Sequence, residues 1–224
     1  MLNQIKFFIL RLDRTAGMYV IKEKVMNKRR YEGEQTKKNI ADKAKTLFSR
    51  KGYAVTSIQD ICDAAGCSKG NLYYHFKSKE DLFLYLEEQT FNEWWEQLDE
   101  IFSRCETVTE KLYAYGNFIS GIERPLDSAE REFIGKVGMD SEAGKKYVAI
   151  VNKSFDNIKR FISEGIASGE FKNENLFELT FIISCFYSGL SRYSSYMMDK
   201  EVSKALYRKA TTLLLQGLST GSGA

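Results

Sequence analysis

The chain has 224 residues, 43% hydrophobic and 28% charged, which excludes a disordered polymer and leaves enough apolar residues for a core without staples. Its formal charge of +3 hides an asymmetry, because residues 1–79 carry 17 Lys/Arg against 7 Asp/Glu and residues 80–224 carry 16 against 23. A basic head on an acidic body predicts that only the first part meets a polyanion.

One proline, Pro125, and few alternating Val-rich runs predict an all-α fold. The four cysteines at 62, 67, 105 and 185 form neither a Cys-x-x-Cys pair nor an even framework, and His75 is the only histidine. That set predicts no zinc site and no cofactor, with idle thiols in a reducing cytosol. No apolar run reaches 18 residues, so no transmembrane helix is expected.

Residues 1–30 read as an N-terminal extension. Ile5, Phe7, Phe8, Ile9 and Leu10 form a short apolar cluster around Lys6, without the longer core and cleavage site of a signal peptide. Lys22-Glu23 could be encoded by a purine-rich sequence resembling a bacterial ribosome-binding site, so translation is expected to start at Met26. If residues 1–25 are made, a loosely docked or disordered helix is the expectation.

A first domain is expected over 31–79. From Glu34 to Arg50, Ile40, Ala41, Ala44, Leu47 and Phe48 recur at helical spacing, and Lys51-Gly52 ends the helix. Ser57 caps the next helix with Asp60 at the capping-box position, and Ile58, Ile61, Cys62 and Ala65 form its inner stripe. Gly66 allows a tight turn, and Ser68 starts a third helix that ends near Phe76. Ser78, with Asp81 three residues on, caps a fourth helix of about six turns, whose stripe runs from Leu82 through Trp94 to Ile101.

A second, helical-bundle domain is expected over 80–218, with further helices near 107–123, 126–138, 141–168, 174–198 and 200–218, then a tail at 219–224. Leu176, Leu179, Ile182, Ile183, Phe186, Tyr187 and Leu190 form one C-terminal stripe. Val202, Ala205, Leu206, Leu213 and Leu214 form another. These stripes can make a four-helix interface between two copies, or serve as ordinary core.

Ser68 to Leu82 is the most informative stretch. Leu72 and Phe76 are the only large inward anchors, which leaves Lys69, Asn71, Tyr73, Tyr74 and His75 without a core to serve. Three short helices with the tight Ala65-Gly66 turn read as a helix-turn-helix, whose third helix enters a DNA major groove. Ser57, Ser78 and Lys79 stand where phosphates would lie, Lys69 and Gly70 can approach base edges, and Gly70 lets the helix sit deep. Tyr73 can meet a thymine methyl or a phosphate, and Tyr74 and His75 fit phosphates.

The order Phe48-Ser49-Arg50-Lys51-Gly52-Tyr53, Thr56-Ser57-Ile58-Gln59-Asp60-Ile61, Ala64-Ala65-Gly66-Cys67-Ser68-Lys69-Gly70-Asn71-Leu72-Tyr73-Tyr74-His75-Phe76 and Lys79-Glu80-Asp81-Leu82 resembles the TetR family of bacterial repressors. The resemblance covers about 50 residues. It implies an all-helical homodimer that joins through its last two helices, binds double-stranded operator DNA, and loses affinity when a small lipophilic effector enters. The DNA contacts would come from Thr56, Ser57, Ser68, Lys69, Gly70, Asn71, Tyr73, Tyr74, His75 and Lys79. The Ser-Lys-Gly-Asn-Leu-Tyr-Tyr-His-Phe-Lys string and Trp94 are similar to multidrug-sensing repressors that take aromatic cations. In that reading Trp94, Tyr113, Phe118, Glu123 and Tyr187 are effector candidates, with Glu123 facing the cation and the aromatics adding cation–π attraction; Trp94, Tyr113 and Phe118 as plain core is the competing reading.

An enzyme is not expected. No second histidine serves a nucleophile, no Glu-x-x-His spacing is present, and Gly70, Gly135 and Gly138 are isolated. An activator, a regulator without a ligand and a sequence-blind architectural binder share the same DNA head and remain alternatives.

Overall fold

Helix α1 spans 31–51 and turns Ile40, Ala41, Ala44 and Phe48 inward, all buried, while its lysines stay outside. It opens a computed structural model whose described residues are 31–219, without the side chains of residues 195 and 196. The expectations placed on 1–30 and on 220–224 lie outside the described residues. Eight more helices follow among them: α2 (Ile58–Ala65), α3 (Lys69–His75), α4 (Lys79–Phe102), α5 (Val108–Gly121), α6 (Asp127–Val137), α7 (Glu142–Ala167), α8 (Leu176–Met197) and α9 (Lys200–Leu218). The described residues contain no strand, only an isolated bridge between Phe171 and Ser219. The all-α expectation holds, and the chain divides into two compact units between Leu82 and Phe83.

In the first unit α1 ends at Gly52, whose φ of 88° lies in the left-handed region where glycine is unstrained. The chain then tucks Tyr53 under Phe48, ring centroids 5.6 Å apart, and buries it completely. The expected capping box of α2 is formed: Ser57 Oγ accepts from Asp60 N–H, and Asp60 accepts from Ser57 N–H at 2.8 Å. Gly66 closes α2 with φ 64°, Cys67 N–H bonds Cys62 C=O at 3.0 Å, and Gly66 N–H reaches Asp63 C=O. Those are the two bonds of a Schellman turn, in which Cys62 and Cys67 take the usual apolar-pair positions. Burial and then the neighbouring Cys62 push the Cys67 thiol up, which suits a packing role rather than a reactive one.

In the second unit α5 lies centrally, packed on α7, α8 and α9. The core joins Trp95, Leu98 and Phe102 of α4 to Leu112 and Tyr115 of α5, Phe161 of α7, Ile183 and Tyr187 of α8, and Tyr207 of α9. Gly116 makes the close approach possible: a Cβ there would stand 2.8 Å from Thr211 Oγ1 and 3.0 Å from the Tyr187 ring. Tyr187 and Thr211 hydrogen-bond at 2.7 Å across that gap. The Glu170 carboxylate accepts the first two N–H groups of α5, from Val108 and Thr109, each at 2.9 Å. It thereby caps a helix from 61 and 62 residues away in sequence and ties the α7–α8 turn to the core.

The C-terminal stripe of α8 divides between the two roles open to it. Leu179, Ile183 and Tyr187 are buried inside the unit, so they serve its own core. The outward apolar ridge is instead Phe177, Phe181, Cys185, Tyr193 and Met197, which recur at multiples of four and are exposed, with Ile182 beside them. The helix is apolar on two sides, and periodicity alone does not choose which side turns in.

Candidate nucleic-acid interface and effector cavity

The short α3 buries only Leu72, with Phe76 just beyond its end. Everything else on α3 points outward: Lys69, Gly70, Asn71, Tyr73 and Tyr74 are exposed, and His75 is half-buried with its ring against Tyr74 at 5.0 Å. Ser68 Oγ accepts the Asn71 N–H at 3.2 Å and fixes the first turn. The turn before α3 is braced from α1, because Asn39 Nδ2 donates to the Ala65 carbonyl at 2.9 Å. Lys37 lies 5.6 Å from the Phe76 ring. These contacts lock α3 at both ends and leave its polar and aromatic face to solvent, the arrangement that groove recognition requires.

Two residues expected at this face have inward duties. Thr56 is completely buried, and its hydroxyl donates to the Gly52 carbonyl at 2.7 Å. The left-handed turn at Gly52 folds the chain back, so the Thr56 side chain faces the interior and offers no surface to a duplex. Lys79 is half-buried and donates to the Thr56 carbonyl at 2.6 Å, with its ammonium 4.3 Å from the Tyr53 ring centroid. Ser57 is exposed, but its hydroxyl is engaged with Asp60. Those Ser57 hydrogen bonds, side chain first and backbone second, pull the Asp60 carboxyl down to about 2.

The second unit holds a cavity of about 400 Å³ that is partly open to solvent. Its apolar wall is aromatic: Phe91, Trp94 and Trp95 of α4, Tyr115 and Phe118 of α5, and Tyr187 of α8 all line it. Trp94, Phe118 and Tyr187 therefore stand where the sequence put effector candidates. Tyr113 does not: its hydroxyl bonds Thr212 Oγ1 at 3.0 Å and its ring packs on the core beside the cavity. Glu123 is not on the wall either; its side chain is 86% exposed, with Lys200 Nζ 3.8 Å away. Helix α5 ends at Gly121, two residues before the expected end, so the helical register that would have aimed Glu123 inward is already broken.

The charged groups on the wall are others. Arg124, Asp127, Glu130 and Arg131 come from the α5–α6 connection and the start of α6, and Arg192 comes from α8. Arg131 pairs with Asp127 at close range, and the Tyr147 hydroxyl donates to Glu130. Burial first, and the Glu130 charge second, push the Tyr147 phenol far up, so it stays a donor. Burial also pushes the Tyr187 phenol up to about 12. The Arg124 and Asp127-x-x-Glu130-Arg131 spacing, which stacks charges on one face at a helix start, was the available sequence signal for this cluster.

Comparison with known proteins gives both units relatives. Residues 40–86 match the family model described as bacterial regulatory proteins, tetR family, and residues 89–220 match the model for the C-terminal region of QacR-like proteins. The HTH-type transcriptional regulator QacR of Staphylococcus aureus is 32% identical over 187 residues, 81% of this chain and 99% of that protein. The HTH-type transcriptional regulator AcrR of Shigella flexneri is 45% identical over 56 residues, 25% of this chain and 26% of that protein. The crystal structure of a TetR transcriptional regulator from Chloroflexus aurantiacus superposes with a TM-score of 0.70 at 22% identity, covering 85% of this chain and all of that one. These relatives are DNA-binding regulators and not enzymes, and the chain belongs to the TetR family of bacterial transcriptional regulators.

Proposed function

We propose that this regulator is a ligand-responsive repressor that binds operator DNA as a homodimer and releases it when a small lipophilic molecule occupies the cavity of the second unit. The outward face of α3 carries the reading: five consecutive-turn residues with hydrogen-bonding or aromatic side chains surround a single buried anchor, Leu72. Lys69, Asn71 and Tyr73 are assigned to base edges, and Ser57, Ser68, Tyr74 and His75 to phosphates, with Gly70 allowing close approach. Thr56 and Lys79 are assigned to holding this surface in shape.

Two heads of a dimer reading successive major grooves must sit about 34–36 Å apart. The outward apolar ridge of α8, with Val202 and Leu213 of α9, supplies the self-complementary surface for that dimer. Helix α4 begins at Lys79 and contributes Phe91, Trp94 and Trp95 to the cavity wall, so it is the element through which an effector acts. A tenfold shift in operator occupancy needs about 1.4 kcal/mol of differential effector affinity between two conformations.

The aromatic wall favours a lipophilic effector. The Glu123 carboxylate that the aromatic-cation expectation set beside the cation is not on that wall, so the head group is read from the charged residues that are. The reading is tested by retardation of the promoter DNA upstream of the gene at low ionic strength. Tyr73→Ala is expected to weaken binding at least about tenfold with helicity and dimerisation unchanged; normal binding by that variant overturns the assignment of α3. No helix among the described residues is long and apolar enough to cross a membrane, in keeping with action on cytoplasmic DNA.

A further inference from the structure

We infer that the cavity selects an amphiphile with an anionic, hydrogen-bond-accepting head group of the carboxylate class, and that Arg124 reads that head. The inference rests on the cavity being the effector site, as proposed above. It turns on which charges on the wall are already spent. Glu130 accepts a hydrogen bond from the buried Tyr147 phenol, and Asp127 is held by Arg131. A cationic head would have to break into those pairs.

Arg124 is paired more loosely, through charge alone. Its Nε stands 4.0 Å from Asp127 Oδ1 and its Nη2 stands 3.8 Å from Glu130 Oε2, both beyond hydrogen-bond length. Its guanidinium makes no hydrogen bond to another described side chain, although the residue is only 30% exposed. A guanidinium carries five N–H donors in a planar fork that matches a carboxylate, and the two long ion pairs engage that fork only through charge, without a hydrogen bond to either carboxylate. An incoming carboxylate satisfies two of those donors at once.

The surroundings fit the same class. The Arg124 guanidinium also lies 5.8 Å from the Trp94 ring centroid, so an aromatic face helps the two loose ion pairs to hold it at the wall. Arg124 lines the same cavity as the buried phenols of Tyr115 and Tyr147, so a ligand there meets all three. Arg131 and Arg192 add further positive charge on the same wall, three arginines against Asp127 and Glu130. Phe91, Phe118 and Trp95 then receive the apolar tail, in a volume typical of a small-ligand site.

The test uses three probes with one tail and different heads: decanoate, decyltrimethylammonium and decanol, each below its aggregation threshold, against the full-length protein. Tryptophan fluorescence and thermal shift report binding. Decanoate is expected to bind at least about tenfold tighter than decyltrimethylammonium. Arg124→Gln is expected to erase that preference while leaving decanol affinity unchanged. Should Arg124→Gln fold poorly, Arg124→Lys keeps the charge without the fork, and is expected to lose part of the decanoate affinity only. Equal or tighter binding of decyltrimethylammonium to the wild type, or an undiminished decanoate preference in the variants, overturns the head-group assignment alone. If none of the three binds at millimolar concentration to protein that still retards DNA, the cavity is not the effector site and both readings fall.

Discussion

The Lys79 ammonium lies 4.3 Å from the centroid of the Tyr53 ring and donates to the Thr56 carbonyl at 2.6 Å. Tyr53 in turn donates its hydroxyl to Glu80 at 3.2 Å, so neighbouring residues at the start of α4 grip one buried tyrosine from two directions. That clamp fixes the loop between α1 and α2, and through it the buried hydroxyl of Thr56.

Lys79→Ala is therefore expected to act on stability before it acts on DNA. It removes a charged hydrogen bond and a cation–π contact at a half-buried site, together worth about 1–2 kcal/mol. Urea unfolding of the variant should move to lower denaturant concentration without a change in slope. A variant as stable as the wild type, yet weak on DNA, would return Lys79 to the phosphate-binding set.

Gly70 separates a folding role from a recognition role. A Cβ at that position would meet only Ser68 Oγ, at 3.8 Å, so the protein itself has no need of glycine there. Replacing a helical glycine with alanine restricts the unfolded chain, and Gly70→Ala is expected to stabilise by about 0.5 kcal/mol. If α3 sits deep in a groove, the same methyl group weakens operator binding. Higher thermal stability combined with weaker retardation is the expected pair of results; unchanged retardation would mean that α3 does not approach a duplex closely at Gly70.

The helices and the exposed face of α3 were legible because each depends on residues close in sequence. Leu72 and Phe76 are too few anchors to bury a helix of seven residues on more than one side, and the structure buries no others. The cavity was only half legible. Trp94, Phe118 and Tyr187 lie on long helices where the inward side continues over many turns, whereas Glu123 lies past a helix end, where the register lapses. The charged wall joins Glu130 to Tyr147 and Arg124 to Trp94, partners from different elements; the local charge spacing marks the cluster without revealing them. Thr56 misled for a similar reason. Its role depends on the turn at Gly52 reversing the chain, which its position next to the Ser57 cap does not reveal.

Acid should loosen the start of α2 within a defined window. Ser57 holds Asp60 at about 2, against an ordinary value of 3.8, so the folded pKa is depressed. A depressed carboxyl contributes stability that is complete above its unfolded pKa and is lost as pH falls through its folded one. The capping box should therefore weaken between about pH 4 and pH 2. Asp60→Asn removes this titration. Hydrogen exchange at the α2 amides should accelerate over that window in the wild type more than in the variant, and parallel profiles would exclude Asp60 as the source.

The outward ridge of α8 leads to the last prediction. Phe177 and Phe181 are 61% and 55% exposed and stack on each other 6.2 Å apart, while Val202 and Leu213 of α9 are 51% and 55% exposed. A residue every four positions forms the ridge that packs into the groove of a second helix. Exposed apolar side chains of this kind suit the proposed homodimer, in which a two-fold arrangement places the same ridge on both sides of the contact. Phe181→Glu places a charge from each copy into that contact and is expected to yield a monomer in sedimentation velocity. Helicity should be retained, because the Phe181 side chain contributes little to its own unit's core. Retardation of a palindromic operator should fall with dimerisation, since one head loses the gain of the second. A Phe181→Glu protein that stays dimeric would move the interface away from α8.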